Sequence, residues 1–135
     1  MSLAETTTIV KRGEVTHDAF LGGRLTIAQP VKGFRAGLDS VLLGAAVGHS
    51  SGQLLDLGAG AGTAALVALA DHSGLDATLV ESDPAMAALA VDNLAANGLA
   101  ARAEVLTLDV TASGRARAAA TVSIGRSRLP PASIR

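Results

Sequence analysis

Three acids and a run of glycines are the residues here whose types and spacing could do chemistry. Asp56-Leu57-Gly58-Ala59-Gly60-Ala61-Gly62 sets a carboxylate two residues ahead of glycines at every second position. Glycines let a backbone turn tightly and come close to a ligand, and a helix that starts after them offers free N–H groups. In the dinucleotide fingerprint G-x-G-x-x-G/A, a start at Gly58 puts the third small position on Thr63, which fails. A start at Gly60 puts it on Ala65, which passes, but the turn then begins two residues late. An acid ahead of the first glycine suits a ligand that carries an ammonium group. Further along, Glu81 can accept from both hydroxyls of a ribose, and Asp109 from the exocyclic amine of an adenine. Together the three acids describe S-adenosylmethionine better than NAD. A fragment of an NAD-binding oxidoreductase is the lesser alternative.

These acids need elements that bring them to one edge. Gln53–Leu57 and Ala77–Glu81 read as buried strands and Ala103–Leu108 as a third strand, each closing on or next to an acid. Thr63–Ala70 reads as one helix between them. A second is capped by Asp83, has Pro84 at its first position, and stops at Asn97-Gly98. Strand–helix–strand–helix–strand at this spacing means a parallel sheet, whose carboxyl edge is where ligands bind. Upstream, Val15–Leu21 and Arg24–Pro30 flank Gly22-Gly23 and predict a hairpin with a primed turn. Asp39 or Ser40 is then expected to cap a helix over Val41–Val47. The expected architecture is α/β: the N-terminal part of a doubly wound, Rossmann-like parallel sheet, preceded by a short β-hairpin and helix. Four stretches follow: 1–13 as a flexible N-terminus, 14–52 as hairpin plus helix, 53–112 as a cofactor-binding half-domain, and 113–135 as an irregular tail.

Composition narrows the field. With 135 residues, 49 % apolar and 17 % charged, the chain is about one core-forming domain. No apolar run approaches the ~20 residues of a membrane span, and Met1–Val10 lacks the pattern of a secretory signal. No cysteine is present, so disulfides, thiol nucleophiles and thiolate zinc sites are out, and a cytoplasmic protein is expected. Phe20 and Phe34 are the only aromatics, too few for a base-stacking platform. Residues 1–114 hold six basic against twelve acidic residues, whereas 115–135 hold five arginines and no acid. That Arg/Ala/Ser/Pro tail reads like GC-rich DNA translated out of frame; the competing reading is a genuine basic tail. Gly48-His49-Ser50-Ser51-Gly52 matches a nucleophile elbow but sits between helix and strand, the wrong order. His17, His49 and His72 show no ligand spacing, so no metal is expected. No G-K-[ST] follows the glycines, which excludes a triphosphate loop.

Residues 53–109 resemble the cofactor half of class I S-adenosylmethionine-dependent methyltransferases. Thr16–Leu25 and Gly33-Phe34-Arg35-Ala36-Gly37-Leu38-Asp39-Ser40-Val41-Leu42-Leu43 sharpen the likeness, which is to the bacterial tRNA(Val) adenine-N6 methyltransferase family. The resemblance covers residues 14–111. It implies methyl transfer to an exocyclic amine of adenine in tRNA, with tRNA or another adenine-containing RNA as partner. It places Asp56 near the methionine end of the cofactor, Glu81 on the ribose and Asp109 by the adenine, with Gly58, Gly60 and Gly62 in the loop. Arg35, Gly37 and Asp39 match the motif that helps close the pocket. The family holds its target amine with Asn-Pro-Pro-Phe/Tyr on a fourth strand. Here the nearest string is Leu129-Pro130-Pro131-Ala132, so no catalytic residue is assigned. A truncated, non-catalytic cofactor-binding fragment is therefore the alternative function. Three strands of a larger sheet would leave an edge and a face bare, which invites self-association.

Overall fold

The computed structural model describes residues 15–33, 35–48 and 50–111. The expectations for 1–13, the tail, the Leu129-Pro130-Pro131-Ala132 string, Phe34 and His49 lie outside those residues. Strands β1 (Val15–Phe20) and β2 (Leu25–Pro30) form an antiparallel hairpin in which Val15 faces Pro30 and Phe20 faces Leu25. Gly22 and Gly23 both have positive φ (64° and 89°), with Arg24 N donating to Leu21 O across them at 3.3 Å. A primed turn demands that combination.

Helix α1 spans Leu38–Ala45. It starts earlier than expected, with Gly37 at the N-cap and no side-chain cap, so Asp39 lies inside the first turn rather than capping it. Then β3 (Ser51–Leu57), α2 (Thr63–Asp71), β4 (Gly74–Glu81), α3 (Pro84–Ala96) and β5 (Ala103–Thr107) follow. The three strands form a parallel sheet in the order β3-β4-β5. Pro84 occupies the first turn of α3, and Asp83 caps it by accepting from Ala85 N at 2.8 Å, as the sequence predicts.

Leu75, Ala77 and Leu79 alternate on the face of β4 that meets the helices, and pack with Leu66, Leu69, Ala90 and Leu94. Hydrophobic burial on that one face drives the assembly. The hairpin adds Leu25 and Ile27 to the same core. On the opposite face Val80 is buried, but no helix lies over the leucines of β3 among the described residues. The expectation that β3 is buried is therefore corrected: Leu55 is 60 % and Leu57 58 % exposed, because β3 pairs only with β4 and no element covers their side.

Two contacts set the helix layer. Arg102 donates to Leu69 O in the last turn of α2, to His72 O at its C-cap and to Leu75 O in β4, at 2.7–2.9 Å, tying the end of the helix to the strand that follows. Gly44 lets α1 sit against α2; a Cβ there would meet Ala64 O and lie 2.7 Å from Val67 Cβ. Alanine in place of glycine gains about 1 kcal/mol of helix propensity, but overpacking costs typically 1–3 kcal/mol. Gly44→Ala is thus expected to be a net loss, lowering the midpoint of thermal unfolding followed by circular dichroism. An unchanged or higher midpoint would show that α1 does not pack this closely.

Candidate functional site

The end of β3 is bent into a site by hydrogen bonds from its neighbour. Gly58 N and Ala59 N both donate to Val80 O, at 2.8 and 2.9 Å, so the chain folds back over β4 as soon as β3 ends. Gly60 N donates to Glu81 Oε2 at 2.8 Å. Gly58, Gly60 and Gly62 all have positive φ (75°, 58° and 92°), a region L side chains avoid. Gly62 also has no room for more: a Cβ would lie 2.9 Å from Leu66 Cδ1 and 3.1 Å from Leu79 Cδ2.

Over this loop opens a pocket of about 430 Å³, with walls from Gln29, Asp39, Asp56, Gly58, Thr63 and Met86. Strand β2, both helix starts α1 and α2, β3 and α3 therefore all contribute. Two buried polar atoms in residues lining it have no hydrogen-bond partner among the described residues: Asp56 Oδ2 and Thr63 Oγ1. Burial pushes the Asp56 carboxyl above its ordinary value, and the Glu81 charge adds to the rise. Thr63 is the first residue of α2, whose N-terminus has no side-chain cap and no acid in its first turn. The helix dipole and its unpaired N–H groups favour an anion there. The pocket thus has a negative pole at Asp56 and a positive one at the α2 start. That pair fits the zwitterionic end of an amino-acid-bearing ligand such as S-adenosylmethionine. A buried hydroxyl at Thr63, where a dinucleotide loop needs a small residue, argues against a pyrophosphate.

The structure brings Asp39, Asp56 and Gly58 into the pocket, while Gly60, Gly62 and Glu81 build the loop beneath it. Glu81 already accepts two backbone bonds, from Gly60 N and from Asp83 N at 3.1 Å, and each oxygen keeps a lone pair for a ligand. Arg35 is not in the pocket wall: it donates to Asp18 Oδ2 and Pro30 O, both at 2.6 Å, and clips the segment after β2 to the hairpin. Gln29 donates to the same Asp18 oxygen at 2.9 Å and accepts from Ala36 N at 2.6 Å. The Gln29 bond foremost, with Thr16 and Arg35 behind it, holds the Asp18 carboxyl below its usual value. Gly37 caps α1 beside the pocket. Asp109 is exposed beyond the end of β5, outside the pocket, where hydrogen bonds from Thr111 Oγ1 and N lower its carboxyl's value. Sequence reasoning missed Gln29, Thr63 and Met86 as wall residues. Thr63 left a signal, since it broke the dinucleotide fingerprint; Gln29 and Met86 left none. Among the described residues no group of three or more His, Asp or Glu is placed to hold a metal, and no helix is long and apolar enough to cross a membrane.

The sequence model of the methyltransferase small domain matches residues 38–123. The chain belongs to that family. The match spans α1, the glycine loop and all three parallel strands. No curated protein matches the chain. Among solved structures, a Pyrococcus horikoshii transferase is similar at 20 % identity and TM-score 0.61, over 71 % of this chain and 37 % of that one. Pyrococcus horikoshii TYW2, solved in complex with MeSAdo, gives 21 % identity and 0.59, over 71 % and 36 %. A predicted O-methyltransferase from Agrobacterium tumefaciens gives 36 % identity and 0.53, over 60 % and 41 %. The first two share the fold. This methyltransferase small domain spans little more than a third of their length.

The raised Asp56 value has a sign that can be tested. A carboxyl that holds its proton more tightly when folded stabilises the fold at low pH, and that stability is lost as pH rises from 3.8 through the raised value. Asp56→Asn is expected to flatten that segment of the pH–stability curve and to raise the unfolding midpoint of the ligand-free chain at neutral pH. Parallel curves for the two proteins would mean that Asp56 is not buried as an acid.

Proposed function

We propose that the chain binds S-adenosylmethionine in the pocket above the glycine loop and forms the cofactor half of a methyltransferase. The observation that carries this reading is the unpartnered Asp56 Oδ2, buried at the end of β3 in a pocket wall. A buried carboxylate oxygen without a donor is costly, and a ligand ammonium supplies the missing charge-assisted bond. Thr63 Oγ1 and the N–H groups of α2 then take the ligand carboxylate. Glu81 takes the ribose with the lone pairs its backbone bonds leave free. Asp109 is kept as the adenine partner, which requires it to share or release its bonds to Thr111. When bound, the cofactor supplies an electrophilic methyl group on a sulfonium. The protein's part is to orient that methyl toward an acceptor.

The acceptor we infer is an exocyclic amine of adenine in an RNA such as tRNA, and the setting the cytoplasm. Support comes from the likeness of Thr16–Leu25 and Gly33–Leu43 to the tRNA(Val) adenine-N6 enzymes. A second reading is a cofactor-binding half without turnover of its own: the nearest string, Leu129-Pro130-Pro131-Ala132, has neither the amide nor the ring of Asn-Pro-Pro-Phe/Tyr. Self-association also belongs to the proposal. Among the described residues the outer edge of β3 has no partner strand, and Leu55 and Leu57 beside it are exposed. Leu55→Lys is accordingly expected to lower the apparent mass in light scattering. A monomer of the unsubstituted chain at high concentration would refute this.

Calorimetric titration with S-adenosylhomocysteine and NAD decides the cofactor. We expect the former to bind and NAD not to. Losing one charge-assisted bond costs about 1.5–3 kcal/mol, so Asp56→Asn should weaken binding roughly 10- to 100-fold. Glu81→Ala should weaken it as well. NAD binding, or S-adenosylhomocysteine binding indifferent to Asp56, would reverse the assignment. Transfer of labelled methyl to unmodified tRNA then divides enzyme from fragment.

A further inference from the structure

Helix α3 carries two asparagines one turn apart, Asn93 and Asn97, whose amides meet β2 as a neighbouring strand would. Asn97 Oδ1 accepts from Thr26 N at 3.0 Å and its Nδ2 donates to Thr26 O at 2.8 Å. Asn93 Oδ1 accepts from Ala28 N at 2.8 Å and its Nδ2 donates to Ala28 O at 3.0 Å. Both residues thus hold the hairpin to the helix in the same way. Each amide makes one further bond: Asn97 Nδ2 donates to Asn93 O at 2.7 Å, one turn back along the chain, whereas Asn93 Nδ2 donates to Ala61 O at 2.9 Å, outside the helix.

That third bond joins two walls of the pocket. Ala61 lies within the glycine loop, between Gly60, which Glu81 holds, and Gly62, which closes on Ala59 O. Ala28 immediately precedes Gln29, the hairpin's wall residue. Asn93 is 2 % exposed, and both of its amide protons are in use. No other side chain of similar size offers two donors and an acceptor at one point. Aspartate lacks the donors, leucine lacks all three, and glutamine is a methylene too long. We propose, resting on the cofactor reading above, that Asn93 is a positioning residue for the cofactor. Its amide fixes the distance between the glycine loop and the hairpin wall, so cofactor affinity depends on a side chain from neither.

Asn97 provides the control, because it holds the same hairpin to the same helix without reaching the loop. The test is calorimetric titration of the full chain with S-adenosylhomocysteine, at a temperature where circular dichroism shows each variant folded. Asn97→Ala should lower the unfolding midpoint yet leave the dissociation constant within about twofold. Asn93→Ala should weaken binding at least tenfold. Equal constants for both variants, whether unchanged or equally weakened, would overturn the positioning role while leaving the cofactor reading intact. No binding by the unsubstituted chain would sink both. Should Asn93→Ala fail to fold, amide exchange on the unsubstituted chain gives the answer. Adding S-adenosylhomocysteine should slow exchange at Ala28 in step with Gly60 and Gly62, and leave Thr26 unchanged. An Ala28 amide that ignores the ligand would refute the coupling.

Discussion

The fold-back of the backbone after β3 is the constraint on which the site depends. Val80 O receives two N–H groups from the loop, and Glu81 receives a third from Gly60. Two consecutive residues of β4 therefore hold the loop that β3 feeds, which is possible only because the strands are parallel neighbours in register. Positive φ at Gly58, Gly60 and Gly62 is the backbone's part in that turn. Through it α2 starts soon after the strand end, and its first residue, Thr63, lines the same pocket as Asp56. Sheet pairing, loop and helix start are thus one unit, and the pocket is what they enclose.

How much of this could be read from sequence follows the range of the interactions. Asp56, the glycines and Thr63 lie in one strand–loop–helix passage, so their arrangement is written in consecutive residues. The caps are local as well: Asp83 and Pro84 were legible, while Asp39 was misplaced by two residues because Gly37, lacking a side chain, gives no capping signal. Asn93 and Gln29 are a different matter. Asn93 bonds to Ala28 across 65 positions of sequence, and nothing in its own helix marks it as more than a polar residue in an alanine-rich stretch. Asp109 shows the opposite case. Its local setting offered a strand-end acid, but Thr111 two residues on captures the carboxylate and holds it in solvent.

The exposed leucines follow from the same economy of elements. Helices α2 and α3 cover one face of the sheet, and hairpin and α1 pack around those helices rather than on the other face. Leu55 and Leu57 alternate with Leu54 and Asp56, so the residues on one side of β3 enter core and pocket while those on the other meet water. Leu38 and Leu42 are likewise exposed on α1, at the i, i+4 spacing of one helix face, and Leu43 is exposed where it lines the pocket. An edge strand free of lysine and proline, with exposed leucines on one face, has only the inward Asp56 as a guard against pairing with another chain.

Asp56 itself is best understood as stability given up for binding. It sits where alternation calls for an inward side chain, among apolar neighbours, and close enough to Glu81 for the two charges to repel. A leucine would satisfy packing there. An asparagine would remove the repulsion. The carboxylate is useful only if something positively charged arrives, and Thr63, equally unpartnered, only if something accepts or offers a hydrogen bond. Two such defects in one pocket wall, at the edge where parallel sheets bind ligands, are mutually explanatory. A single zwitterionic group satisfies both, whereas a pyrophosphate would suit the helix start but be crowded by Thr63 and repelled by Asp56. The choice of cofactor thus rests on the sign of one buried charge.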